Sequence, residues 1–310
     1  MPRADVWIDG ALVPWDEAHV SVLSHAIQRG ALVFDVGAIR AGTGGQPLLF
    51  RPREHVERFL RSAALVGLDV RWDAEALLEA TVQTARSSGA TSALVRWSAF
   101  VPTLEPDVVP RVGAAASVAI AIIAPEDNAP PGGPPPRKPA TVRLSVPRDA
   151  SKAGPDVFPP QAKVAAAYLG PMLAKRRALA ANFDEIVLLD EQGRLTEAPT
   201  ANIFAVKDGV LTTPPLERVL AGITRDSVLA LARADGIAAR EAHLSLDDLA
   251  SADEAFLTAT SLPVQAIASV DDRPLRGDAP GPVTTRIKEA VATCERGADE
   301  RFAHWVLEIR

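Results

Sequence analysis

Residues 127–138 read Asp-Asn-Ala-Pro-Pro-Gly-Gly-Pro-Pro-Pro-Arg-Lys, so seven of twelve positions are proline or glycine. Proline has no amide hydrogen to give, and glycine has the most freedom to lose, so neither a helix nor a central strand continues through such a run. A chain of 310 residues is long enough to form a core on each side of it. The expected organisation is a small lobe at 1–126, a linker at 127–139 and a larger lobe at 140–310; an ordinary surface loop is the other reading of the Pro/Gly run.

Local patterns fill in the two stretches. Asp9-Gly10 marks a hairpin turn within Val6 to Val13. Ala31 to Ile39 and Pro47 to Phe50 read as paired strands around a Gly-rich turn, and Ser92 to Ala99 and Ala114 to Ile123 read as core strands. Arg53 to Val66 and Asp73 to Ser87 carry apolar residues at helical spacing, the first stopped by Gly67. In the second stretch the spacing predicts a helix over 165–181, interrupted at Gly170-Pro171, strands at Glu185–Leu189, Asn202–Val206 and Ala255–Thr260, and helices over 224–234 and 281–294. Strands and helices do not alternate as a doubly wound sheet requires, and no internal repeat is visible. The fold expected is α+β in the first lobe, with an α+β or α/β second lobe.

Composition excludes several functions. With 47% apolar residues and a formal charge of −6, the chain has no basic field for nucleic acid. Cys294 is the only cysteine and the five histidines have no paired spacing, so neither an internal disulfide nor a metal site is expected. No apolar run reaches about 18 residues, and the N-terminus lacks a signal-peptide pattern. The expected location is the cytoplasm.

Only six of the 33 basic side chains are lysines. Arginine stays protonated at any useful pH and cannot attack a carbonyl, whereas a desolvated lysine can. Lys163 lies in Gln-Ala-Lys-Val-Ala-Ala-Ala-Tyr, free of other charges, five residues before the sole tyrosine, Tyr168. Read alone, it is as well suited to snorkelling from a helix end.

Five blocks occur in the order found in one enzyme family: Phe50-Arg51-Pro52-Arg53-Glu54-His55-Val56-Glu57-Arg58; Ala162-Lys163 with Tyr168; Thr196-Glu197 through Asn202-Ile203-Phe204; Gly222-Ile223-Thr224-Arg225-Asp226; and Thr258-Ala259-Thr260-Ser261. In this respect the chain resembles the class IV aminotransferases, which are fold-type IV pyridoxal phosphate enzymes, and above all those acting on branched-chain amino acids. The resemblance implies a two-domain, D-amino acid aminotransferase-like fold with a pseudo-barrel second lobe, a cofactor held between the lobes, and a homodimer with shared active sites. It implies pyridoxal 5′-phosphate as a Schiff base on Lys163, which would also move the substrate proton. The cofactor set would be Arg58, Lys163, Tyr168, Glu197, Asn202, Ile223, Thr224 and Thr260. Each role has a physical reason: a carboxylate (Glu197) keeps a pyridine nitrogen protonated, and a helix start (Ile223, Thr224) with an arginine (Arg58) binds phosphate. Each of these residues also has an ordinary structural use, such as a helix cap for Thr224 or a surface charge for Arg58.

The substrate side departs from the family pattern. Arg29 and Leu94 stand where many branched-chain members have tyrosines, and Val33 to Ile39 differs from the usual acidic-Gly-Ile-Arg run. Candidate substrate contacts are Arg29, Phe34, Val36, Arg96 and Ser261, with Arg96 as carboxylate partner; Trp97 and Leu262 could line an apolar pocket with Phe34 and Val36. The resemblance implies ping-pong transfer from a branched-chain or other apolar L-amino acid to 2-oxoglutarate. A transaminase for (R)-amines or D-amino acids is the alternative on the same fold, ahead of an aminodeoxychorismate lyase-like enzyme or a non-enzymatic cofactor carrier.

Overall fold

A computed structural model describes residues 4–105, 107–128 and 139–310. Ala129 to Lys138, the body of the expected 127–139 linker, lies outside the described residues. The chain divides into two units, one comprising Met1–Arg137, Ala162–Ala166 and Thr293–Arg310, the other Lys138–Gln161 and Ala167–Ala292.

The first unit is built on a seven-stranded sheet in the order Val306–Glu308, Pro47–Phe50, Leu32–Ala41, Ala93–Phe100, Ser117–Ile123, Val6–Ile8, Ala11–Val13. Asp9 and Gly10 take positive φ (49° and 107°) and close the N-terminal hairpin. Leu32–Ala41 is ten residues long but Pro47–Phe50 only four, and the short strand pairs with positions 38–41 alone. The open edge near Val33 is taken by the lysine segment: Val33 bridges Val164, and the Phe34 amide donates to the Lys163 carbonyl at 3.0 Å. An exposed edge is a row of unpaired backbone groups, which explains why Ala162–Ala166 packs here although all of 140–310 was expected in the second lobe. Val306–Glu308 likewise pairs with Pro47–Phe50, so Thr293–Arg310 also departs from that expectation.

Two helices of this unit carry its amphipathic pattern. Pro52–Leu65 starts on proline, whose missing amide hydrogen has no helical partner there anyway. Its buried face holds Val56, Phe59 and Ala63, and beside them a polar stripe of His55, Arg58 and Ser62, all buried. Ala74–Ser88 is capped by Asp73, which accepts from the Ala76 amide at 2.9 Å.

In the second unit the sheet runs Ala239–Glu241, Val210–Thr213, Ala201–Lys207, Glu254–Ala259, Leu262–Val270, Thr141–Ser145, Glu185–Ile186. Its core gathers Val142, Leu144, Ile203, Leu257 and Ile267. Leu262–Val270 is absent from the sequence expectation because its buried positions do not alternate: its register slips between Ile267 and Ser269. Glu185–Leu189 shortens to Glu185–Ile186. The helix expected over 165–181 splits into a 3-10 turn, Ala165–Tyr168, and an α-helix, Leu169–Ala180. The break comes before Gly170, which leaves Pro171 in the first turn where it costs no hydrogen bond. Among the described residues no helix is long and apolar enough to cross a membrane.

Candidate active site

In the first unit, Lys163 is anchored by its backbone. Its amide donates to Ser62 Oγ at 3.1 Å, and its carbonyl accepts from Phe34. Its side chain is half-buried, with Nζ 5.1 Å from the centroid of the Phe34 ring. Arg96 lies over the same ring at 4.7 Å. Phe34 and Val36 share one face of their strand, and Arg96 pairs directly across from Val36. Lys163, Phe34, Val36 and Arg96 are thus brought together.

Trp97 pairs with Asp35 and so points to the other face. There its indole N–H donates to Thr81 and its ring stacks on His55. The apolar-pocket expectation fails for Trp97 because strand alternation turns it into the core. Gly37 is required next to it: a β-carbon there would lie 2.6 Å from the Trp97 ring. Arg29 ends the short helix His25–Arg29 with its side chain exposed, donating to the Gln28 carbonyl at 3.2 Å.

Arg58 lies beneath the sheet. Its Nε and Nη2 each donate to Asp35 at 2.8 Å, and His55 Nδ1 meets the same carboxylate at 2.7 Å. Asp35 and His55 are essentially inaccessible to solvent. Burial alone would raise the Asp35 pKa, but the charge and hydrogen bonds of Arg58, aided by His55, hold it well below the usual carboxylate range. His55 is pushed down by burial, which outweighs its bond to Asp35. The sequence reading missed Asp35 and His55; an acid in the apolar run Val33 to Ile39 was the available signal.

The second unit holds the acidic group. Glu197 accepts at Oε2 from Asn202 Nδ2 at 3.1 Å and from the Leu220 amide at 3.0 Å, while Lys152 Nζ meets Oε1. Asn202 also donates to the Leu220 carbonyl at 3.1 Å. Glu197 and Asn202 are therefore brought together, and Lys152 joins them unforeseen. Ile223–Ala234 begins after Gly222 with no side-chain cap. A β-carbon on Gly222 would sit 2.0 Å from Asn202 Oδ1, so any other residue at that start must displace the Asn202 side chain. Ile223 and Thr224 are both buried at this helix N-terminus, where backbone amides favour an anion. Thr260 and Ser261 form the two-residue turn between Glu254–Ala259 and Leu262–Val270, so Thr260 is a turn residue, not the strand residue expected. Tyr168, half-buried, closes the 3-10 turn and precedes Leu169–Ala180.

These features define a class. The profile of the family Amino-transferase class IV matches residues 32–270. The chain belongs to that family. It is 34% identical over 315 residues to the branched-chain-amino-acid aminotransferase of Escherichia coli strain K12, covering 99% of this chain and 98% of that one. The crystal structure of a branched-chain aminotransferase from Thermoproteus uzoniensis with norvaline superposes with TM-score 0.90 at 34% identity, covering 99% of this chain and 100% of that one. The T.th. branched-chain amino acid aminotransferase, complexed with N-(5′-phosphopyridoxyl)-L-glutamate, does so with TM-score 0.91 at 31% identity and 99% coverage of both.

Proposed function

We propose that this protein is a pyridoxal phosphate-dependent transaminase acting on branched-chain or other apolar L-amino acids, with 2-oxoglutarate as acceptor in a ping-pong cycle. The observation that carries this reading is the end-to-end match to the Escherichia coli branched-chain enzyme. The donor set suits the cofactor: an amine for its aldehyde, an acid for its ring nitrogen, and a helix start with hydroxyls for its phosphate. The buried start of that helix at Ile223 and Thr224 supports the last of these.

When bound, pyridoxal phosphate supplies an aldehyde that condenses with amines and a ring that takes up the electron pair left at Cα. The protein's residues do the rest. Lys163 Nζ would hold the cofactor's aldehyde carbon and would be the base for the substrate Cα proton. Glu197 holds a proton at the ring nitrogen, with Asn202 and the Leu220 amide fixing its orientation. Ile223, Thr224 and Thr260 would hold the phosphate. Arg58 adds positive charge, although two of its N–H groups are already given to Asp35. Tyr168 would hold the cofactor ring through its hydroxyl. Phe34 and Val36 offer an apolar surface to the substrate side chain, with Arg96 pairing with its carboxylate; Arg29 and Ser261 are further contacts at the substrate end.

One observation favours a second reading. Arg29 and Leu94 stand where the family pattern has tyrosines, and the loss of those tyrosines favours a transaminase for (R)-amines or D-amino acids. Borohydride reduction of the protein with pyridoxal phosphate, followed by peptide mapping, should label Lys163; label on another lysine would overturn the assignment. L-leucine should then bleach the cofactor absorbance while (R)-1-phenylethylamine leaves it unchanged. The reverse result selects the second reading.

A further inference from the structure

Lys152 was no part of the expected site, yet it is one of only six lysines in an arginine-rich chain. Its backbone is pinned: Ser151 bridges Leu189, and the Lys152 amide donates to the Leu189 carbonyl at 2.9 Å. From there Nζ reaches Glu197 Oε1. The two side chains are only 19% and 13% exposed, so solvent and salt screen the pair weakly. An ionised carboxylate has about four acceptor sites. Three donors reach Glu197 here, Lys152 on Oε1 and Asn202 and the Leu220 amide on Oε2, which leaves room for one more N–H. A lysine suits this arrangement better than an arginine, because its compact charge takes one oxygen without forking across both.

We propose that Lys152 is a positioning residue for Glu197: it orients the carboxylate and sets, through its charge, how tightly protons are held on the cofactor ring beside it. This rests on the reading of Glu197 as partner of the ring nitrogen. The sign follows from electrostatics. Removing the positive charge makes the Glu197 carboxylate more basic, so the proton it shares with the ring nitrogen is held more tightly.

The test uses the full-length protein reconstituted with pyridoxal phosphate, following cofactor absorbance as a function of pH. Lys152→Gln should bind cofactor in the same ratio to protein but move the absorbance transition upward by about one pH unit. Lys152→Arg, which restores the charge, should return it toward wild type. In a Glu197→Gln background the Lys152→Gln substitution should add little further shift, since coupled residues are not additive. Lys152→Met, with an uncharged stem, is a second probe of the charge. A profile for Lys152→Gln or Lys152→Met that coincides with wild type overturns the proposal, as does a shift that persists undiminished without Glu197. If both uncharged variants fail to fold while Lys152→Arg folds with a shifted profile, the role is structural and the proposal falls. Wild-type protein that takes up no pyridoxal phosphate would instead overturn the transaminase reading, and this inference with it.

Discussion

Asp35 concentrates the most consequential electrostatics of the first unit. It is fully buried, and both its oxygens are bonded to Arg58. A buried pair adds little net stability, but removing one partner strands the other's charge at about 3–5 kcal/mol. The Asp35→Asn variant should therefore lose stability of that order in urea unfolding near neutral pH. The pH dependence has a definite sign. Asp35 and His55 are both shifted downward in the folded state, so the folded protein binds fewer protons than the unfolded chain and loses stability as pH falls. His55 contributes as pH falls through its ordinary value of 6.5 and below, and Asp35 adds its share below 3.8. Urea midpoints of wild type should therefore fall between about pH 7 and pH 5; a flat profile would show that His55 is not held neutral.

Helix starts and strand edges decide where the candidate groups lie. The helix Ile223–Ala234 begins at a glycine that Asn202 overhangs, and Asn202 is itself bonded to Glu197 and Leu220. A methyl group at 222 cannot be accommodated unless Asn202 gives up these bonds. Gly222→Ala should cost about 1–3 kcal/mol and weaken pyridoxal phosphate binding, both measurable by thermal unfolding with and without the cofactor. Equal shifts for the bare and loaded protein would separate this helix start from phosphate binding. In the helix Pro52–Leu65, the stripe His55, Arg58, Ser62 advances by three and then four residues, so all three face the sheet. The periodicity made the helix readable, but only the sheet placed Asp35 and the Lys163 backbone against that stripe.

At the scale of the whole molecule, Val306–Glu308 forms the edge strand of the first sheet beside Pro47–Phe50. The Arg51 amide donates to the Trp305 carbonyl, and the Ile309 amide donates to Pro47 at 3.0 Å. Trp305 is 5% exposed, packs against Phe50 and Phe302, and has Arg51 over its ring at 4.7 Å. Trp305→Ala should destabilise by about 3–5 kcal/mol, read from chemical denaturation. An effect under about 1 kcal/mol, typical of surface positions, would mean that the C-terminal segment is held elsewhere.

Most helices, the N-terminal hairpin and the order of the family blocks could be read from the sequence, because turn residues, caps and periodicity act over a few positions. Lys163 stood out on its own composition, as an amine among arginines. What only the tertiary structure decided are the partners. Ser62 meets Lys163 across 101 residues, Glu197 meets Lys152 across 45, and Arg58 meets Asp35 across 23. No local period encodes such pairings; the first arises where a short strand leaves an edge open and a distant segment satisfies its backbone. The polar face of one helix and the missing β-carbon of Gly222 acquire their meaning only through those neighbours.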